Sequence, residues 1–337
     1  MSVDKNGLII SVSKIYTNIN EERGQSWYEH KTFTPKWNPP DPYYLVKKVG
    51  RGKYSTVFKA TDKRHREYAI KILVPLEPRR YLREIKILTN LQNKRNIVKL
   101  EDLVFDPATD VYSIVFEWVN FFDWRTLYSS FTPIEIRLYL YKLLEALDCS
   151  HSNGIMHRDI KPQNIAIDKE KRRLRLLDWG LADFYYPKQR YSSHVATRVF
   201  KPPELLICYP YYDYSIDIWS AGLTFSYMLF KRIVVEYGES DAEQLLKVAD
   251  LVGGAPILKY ARSLNVQLSD ETVQILNQKT GSGWEPFIAK APKEICTPDA
   301  IHLLKSMMTV DHRERITAKE AMKHPFFLPL FEKSRKR

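Results

Sequence analysis

Eight consecutive residues, His157-Arg158-Asp159-Ile160-Lys161-Pro162-Gln163-Asn164, and the triplet Asp178-Trp179-Gly180 shortly after them place two acids and an amide close together in the chain. Each residue type has its own chemistry. A carboxylate such as Asp159 can accept the proton of a reacting hydroxyl. Asn164 and Asp178 offer hard oxygen ligands for Mg²⁺ beside a bound nucleotide. Taken alone the run reads as a solvated loop carrying ordinary charges. Further segments, lying in a consistent order around it, argue against that.

Upstream, Gly50-Arg51-Gly52-Lys53-Tyr54-Ser55-Thr56-Val57 reads as a glycine-rich turn between strand-like runs from Tyr44 to Val49 and from Thr56 to Ala60. Two glycines let backbone amides approach phosphate oxygens with no Cβ in the way. Most Gly-x-Gly hairpins bind nothing, so the turn is informative only in combination with its neighbours. Tyr68-Ala69-Ile70-Lys71-Ile72-Leu73 is a strand pattern interrupted by one cation. Next, Tyr81, Ile85, Leu88 and Leu91 recur at helical spacing with Glu84 beside the stripe, which makes Glu84 the candidate partner for Lys71. Glu77 is the poorer candidate because Pro78 disfavours helix at that point. Downstream come Pro203-Glu204, the run Asp217-Ile218-Trp219-Ser220-Ala221-Gly222, and Arg315 within Asp311-His312-Arg313-Glu314-Arg315.

In this order, from about Tyr43 to about Phe327, the segments resemble those of eukaryotic protein kinases. Several are more specific: Trp in Asp-Trp-Gly, Gly-Arg-Gly-Lys-Tyr-Ser before Val57, Ile155-Met156-His157-Arg158-Asp159, Phe200-Lys201, and Tyr212-Asp213-Tyr214-Ser215. With the leader Tyr16-Thr17-Asn18-Ile19-Asn20 and Trp27-Tyr28, they resemble the catalytic (alpha) subunits of casein kinase II across nearly the whole chain.

That resemblance implies an α+β bilobal kinase fold. Residues 1–42 would form an N-terminal segment packed on the core, 43–118 a nucleotide-binding small lobe, 119–328 a catalytic and substrate-binding large lobe, and 329–337 a basic tail. It also implies transfer of the γ-phosphoryl group of Mg²⁺-bound ATP, with GTP as an alternative, to serine or threonine. Asp159 would take the hydroxyl proton and Lys161 contact the transferring group. Lys71, held by Glu84, would fix the nucleotide, and Asn164 and Asp178 would hold Mg²⁺. Lys161 and Thr197 match the serine/threonine class. Glu204 and Arg315 would clasp one another, and the run from Asp217 would belong to a buried central helix.

Strand parity assigns the pocket. If Lys71 points into the cleft, Ala69 shares its face while Ile70 and Ile72 point away. Val57 and Ala69 would then cover the base, with Val49, Gly50, Arg51, Gly52, Lys53, Tyr54 and Ser55 around the phosphates. Phe116 resembles a gatekeeper before the hinge Glu117, Trp118, Val119 and Asn120, and Ala166 and Leu177 would form the floor. Substrate acids would meet Arg79, Arg80 and Arg83 from the helix side, Arg158, and His194, Thr197, Arg198 and Lys201 in the activation segment.

The outward face, carrying Phe58, Ile70, Ile72 and Val115, reads as an apolar interaction patch. In the family this surface, with Leu45 and Val104 at further matching positions, binds a dimeric regulatory (beta) subunit to give an alpha2-beta2 heterotetramer. The family is also constitutively active, its leader packed on the activation segment.

Composition sets the outer limits. The 337 residues carry 52 Lys+Arg against 40 Asp+Glu, a net charge of +12, which calls for an acidic partner. No nucleic-acid-reading module is evident, so the charge reads as selection of acidic protein substrates. Cys149, Cys208 and Cys296, odd in number and far apart, suggest reduced thiols and a nuclear and cytoplasmic location. The start is unlike a signal peptide, and no apolar run approaches the ~20 residues of a membrane span.

Three departures from the family stand out. Glu77-Pro78 interrupts its lysine run, His194 replaces an arginine, and Pro202 removes a backbone N–H from the substrate loop. The expectation is an acidic preference that is retained but less steep. The rival readings are an inactive kinase-fold scaffold, a basic nucleic-acid-binding protein and a small-molecule kinase. The complete set Lys71, Asp159, Asn164 and Asp178 argues against the first.

Overall fold

The structure, a computed structural model, describes residues 2–52, 55–74, 78–120 and 122–332, the side chains of residues 78–80 excepted. Two short helices, α1 (Ile19–Arg23) and α2 (Gln25–Tyr28), lead into strands β1 (Tyr43–Arg51), β2 (Ser55–Asp62) and β3 (Glu67–Leu73). Helix α3 (Pro78–Asn90) follows, then β4 (Leu100–Asp106) and β5 (Val111–Glu117). The strands form one antiparallel sheet in the order β1-β2-β3-β5-β4. Ile85, Leu88 and Leu91 are buried as the helical spacing requires, Tyr81 is half-buried, and Ile87 is buried as well.

Residues directly opposite in an antiparallel pair share a face. Val57 lies opposite Lys71 and Lys71 opposite Ile114, while Ala69 lies opposite Phe116. Phe58, Ile70 and Val115 form the alternate set, so the parity holds. The expected exposure of that outer set does not. Ile70, Val104 and Val115 are buried, packed with Ala60, Tyr68 and Tyr43. The chain entering β1 covers them: Asn38 bridges to Val104, and Asn38 Nδ2 and Tyr43 Oη both donate to Asp102. Phe58 and Ile72 are half-buried, leaving Leu45 as the exposed member of the six.

The large lobe begins with α4 (Trp124–Ser129), whose first N–H groups donate to the Asp123 carboxylate. Helix α5 (Pro133–His151) starts in a capping box, with Thr132 and Glu135 satisfying each other's backbone N–H. Short ribbons follow, β6 (Ile155–Met156) pairing with β9 (Asp183–Phe184), and β7 (Ile165–Asp168) with β8 (Arg173–Leu176). Helix α6 (Pro203–Leu206) precedes α7 (Ser215–Phe230), in which every residue after the first is buried. A helix apolar around most of its circumference belongs in the middle of a core, and α7 lies there. Helix α8 (Asp241–Val252) and further helices continue to Glu332. No helix among the described residues is long and apolar enough to cross a membrane.

The leader is stitched to both the large lobe and α3. Asn20 Nδ2 donates to the carbonyls of Gly154 and Tyr185, each at 2.8 Å. A Cβ at position 154 would lie 2.5 Å from Asn20 Oδ1, so this approach requires the glycine. Tyr16 Oη donates to Asp148, and Trp27 Nε1 to the Asn153 carbonyl. Asn90, the last residue of α3, donates to the Trp27 carbonyl at 2.7 Å.

Candidate active site

Between the sheet and the large lobe, Lys71 Nζ lies 2.7 Å from Glu84 Oε1 and 3.2 Å from Asp178 Oδ1. Strand β3 supplies the cation and the fifth-strand side of the sheet backs it, while α3 brings Glu84 in from its buried stripe. Burial works against the charge on Lys71, but Glu84 and Asp178 outweigh it and raise its pKa. The ammonium beside Asp178 holds that carboxyl below its usual range despite partial burial. Lys71 and Asp178 therefore stay charged near neutral pH; Lys71 is the counter-charge of buried Glu84, whose own pKa is raised by burial and by the neighbouring Asp178 carboxylate. Gly180 fits against them, since a Cβ there would sit 3.3–3.5 Å from Asp178 Oδ1, Glu84 Oε2 and Lys71 Nζ.

The Asp178-Trp179-Gly180 turn is fixed by its apolar residue. Trp179 is buried, its Nε1 donates to the Leu176 carbonyl at 3.2 Å, and its ring meets His157 edge-on at 4.6 Å. His157 Nε2 donates to the Leu177 carbonyl, while Nδ1 accepts from the Asp159 N–H. From α7, Asp217 accepts the N–H groups of both His157 and Arg158 at 2.8 Å. Burial opposes the charge on Asp217, yet His151 and these N–H groups keep its pKa low. Arg158 and Asp178 adopt left-handed backbone, φ +66° and +53°, a conformation non-glycine residues hold only when their surroundings impose it.

Asp159 is held from every side. Oδ1 accepts from the Thr197 N–H at 2.9 Å and from Thr197 Oγ1 at 2.8 Å. Oδ2 accepts from Lys161 Nζ at 2.7 Å and Asn164 Nδ2 at 3.1 Å, and Lys161 also donates to Thr197 Oγ1. Thr197 thus sits in the acceptor corner, where it supports Asp159.

The basic residues are placed differently from the expectation. Arg158 is buried and spent internally: Nη2 pairs with Asp183 Oδ2 at 2.9 Å and Nε donates to the Leu181 carbonyl. Arg83 reaches the same Asp183 oxygen at 2.9 Å. Lys201 is buried too, 2.6 Å from Asp241 and donating to the Ser193 carbonyl. Arg198 donates to Tyr237 Oη at 2.7 Å and lies 3.6 Å from Asp241. Arg158 and Lys201, expected as surface cations facing substrate acids, are instead buried against internal acids, so each meets a substrate only together with its acidic partner. His194 is exposed. Asp183 and Asp241 went unread in the sequence. An acid between apolar Ala182 and Phe184 was the available signal for Asp183, since buried acids need a cation.

Val49, Gly50, Ser55 and Val57 are half-buried along the first two strands, and Arg51 and Gly52 are exposed. The Gly52 N–H donates to the Ser55 carbonyl, closing the turn. Phe116, Val119 and Ala166 are buried and Leu177 half-buried. The Glu117 carboxylate is taken up within the protein, by Arg175 at 2.6 Å and Arg173 at 3.3 Å. Lys53, Tyr54, Glu77, the side chains of Arg79 and Arg80, and the tail Lys333–Arg337 lie outside the described residues.

The donor set suits Mg²⁺. Asn164 spends its Nδ2 on Asp159, leaving Oδ1 to act as ligand, and the Asp178 side chain is half exposed to the cleft. Among the described residues no three His, Cys, Asp or Glu side chains converge to hold a metal unaided. Mg²⁺ takes one or two protein oxygens and completes its shell with phosphates and water. Bound there, it would neutralise charge between phosphate oxygens. Outside the cleft, Glu204 and Arg315 form the expected clasp, two parallel hydrogen bonds of 2.6 and 2.9 Å with both side chains fully buried.

A five-stranded lobe over a mostly helical one, a lysine-glutamate pair across their junction, and a fixed carboxylate beside two oxygen ligands are the parts of a phosphoryl-transfer site. A family model of the protein kinase domain matches residues 43–327, most of the chain and all of these parts. The chain belongs to the protein kinase family.

Proposed function

We propose that this kinase transfers the γ-phosphoryl group of ATP, or of GTP, to serine and threonine hydroxyls flanked by acidic residues, as the casein kinase II catalytic subunits it resembles do. We also infer that it needs no phosphate on its own activation segment. The observation that carries the reading is Asp183. In kinases switched by phosphorylation, a phosphate added to the activation segment neutralises the arginine that precedes the catalytic aspartate. Here Asp183, in the segment itself, already pairs with Arg158 and ties it to Arg83 of α3. The leader adds a second brace through Asn20 on Tyr185 and Trp27 on Asn90.

The chemistry assigned to the chain's residues is modest. Asp159 orients the acceptor hydroxyl and takes its proton as the new O–P bond forms and the bond to the departing nucleoside diphosphate breaks. Lys161, anchored on Asp159 and Thr197, lies ready to stabilise charge on the moving group. Lys71 fixes the nucleotide phosphates. Acidic preference rests on the net charge of +12 and on His194, Arg79 and Arg80. It is shallower than the count of cations suggests, because Arg83, Arg158, Arg198 and Lys201 already face internal acids.

The phosphatase-treated protein is expected to phosphorylate a serine peptide followed by glutamates with kcat/KM about tenfold above its alanine counterpart at low salt. Activity lost on phosphatase treatment would sink the constitutive reading, and equal kcat/KM for the two peptides the acidic one. Deleting residues 2–30 should lower kcat about tenfold or more by freeing α3 and the activation segment to drift from their working positions. Unchanged kcat would remove the bracing role. For a regulatory-subunit dimer, exposed Leu45 with half-buried Phe58 and Ile72 is the surface we propose, and Leu45→Lys with Phe58→Ala should abolish co-purification with that subunit.

A further inference from the structure

The activation segment sets up two cations immediately beyond the acceptor corner, and the protein itself already supplies their anion. Thr197 touches Asp159, and Arg198 is the next residue along. Lys201 Nζ is 2.6 Å from Asp241 Oδ2 and Arg198 Nε 3.6 Å from Oδ1, so a single carboxylate serves both. Asp241 opens α8, steadied there by Ser240 Oγ, which accepts the Glu243 N–H. Its side chain remains partly exposed at 29%, and that of Arg198 at 33%, so solvent and substrate can reach this pair.

Resting on the acidic-substrate reading above, we propose that Asp241 is a specificity-determining residue that acts as an internal competitor for the acidic group of the substrate. A carboxylate placed next to the phosphoacceptor must share Arg198 with Asp241 or meet its repulsion. Two cations and one anion give this corner a net single positive charge where the activation segment alone would give two. Asp241 therefore flattens the preference for acid beside the acceptor and admits substrates that lack it. The Tyr237 hydroxyl and the Gly238 carbonyl, both accepting from Arg198, keep the guanidinium in place without adding a charge.

Asp241→Asn keeps an oxygen for Lys201 and removes the charge. The probes are two peptides differing only in glutamate or alanine directly after the serine. The ratio of their kcat/KM values should rise about fivefold or more in the variant at low salt, chiefly through KM, and the gain should shrink as salt is added. Adding Arg198→Gln should erase the gain. Asp241→Ser, read the same way, serves if thermal melting shows the asparagine variant misfolded. A glutamate preference in the wild type that the variants leave unchanged overturns this inference alone. A gain that survives Arg198→Gln overturns it as well. No glutamate preference in any of the proteins overturns both this and the acidic reading beneath it.

Discussion

Asp159→Asn is expected to lower kcat by about 10³-fold, within the range that a positioned acid-base group contributes, while nucleotide affinity changes little. The carboxylate is the shared acceptor in a corner full of donors: the Thr197 N–H, Thr197 Oγ1, Lys161 Nζ and Asn164 Nδ2 all point at it. An asparagine keeps the shape but loses the proton acceptor, and it turns an NH₂ group toward either the Lys161–Asn164 side or the Thr197 side. Lys71, Glu84 and Asp178 are untouched, so the nucleotide phosphates keep their partners. Steady-state transfer of labelled phosphate gives kcat, and titration with a fluorescent nucleotide gives affinity separately. Residual kcat within tenfold of wild type would remove Asp159 from the role of proton acceptor. A wild-type protein that binds nucleotide yet transfers nothing would instead favour a kinase-fold scaffold.

How far the sequence could be read depends on the range over which each signal acts. The meeting of Lys71 and Glu84 was legible because two local periodicities, strand parity and helical spacing, point both side chains at one junction. Parity also put Phe58, Ile70, Ile72 and Val115 on one face. It could not show that Tyr43 and Tyr68 cover Ile70, Val104 and Val115, because burial depends on a segment arriving from elsewhere in the chain. The internal partners of the basic residues were hidden in the same way. A run of Arg and Lys near a cleft displays charge, but the partner that cancels it lies 25 residues away for Arg158 and 40 for Lys201. Motif order carried Glu204 and Arg315, whose 111-residue separation no periodicity could bridge.

The two unread acids do related work. Asp183 ties the catalytic loop to α3 through Arg158 and Arg83, and Asp241 ties the substrate loop to α8 through Lys201 and Arg198. On the proposed reading, each would stand in for an external anion, a phosphate in the first case and a substrate carboxylate in the second. A phosphate comes and goes, whereas an aspartate is present whenever the chain is folded. An enzyme built on the proposed reading would trade control at its activation segment for a site that is assembled as soon as the protein is made.

Arg315→Met is expected to destabilise the fold by about 3–5 kcal/mol, the cost of breaking a buried ion pair by removing one partner. In the native protein the guanidinium donates to both oxygens of Glu204 and to the carbonyls of Thr309, Ser215 and Val310. The substitution leaves three carbonyls short of a donor and the fully buried Glu204 carboxylate without its cation. Glu204 lies in the first turn of α6, directly after the loop carrying Arg198 and Lys201, so activity and stability should fall together. Arg315→Lys should recover only part of the loss, since an ammonium cannot form the paired hydrogen bonds of the planar fork. Glu204→Gln combined with Arg315→Met should be more stable than Arg315→Met alone, because it removes the stranded charge. Urea denaturation of the wild type and the three variants measures each step. A double variant no more stable than the single one would mean that the lost packing against Trp219 and the orphaned carbonyls, rather than the uncompensated carboxylate, set the cost.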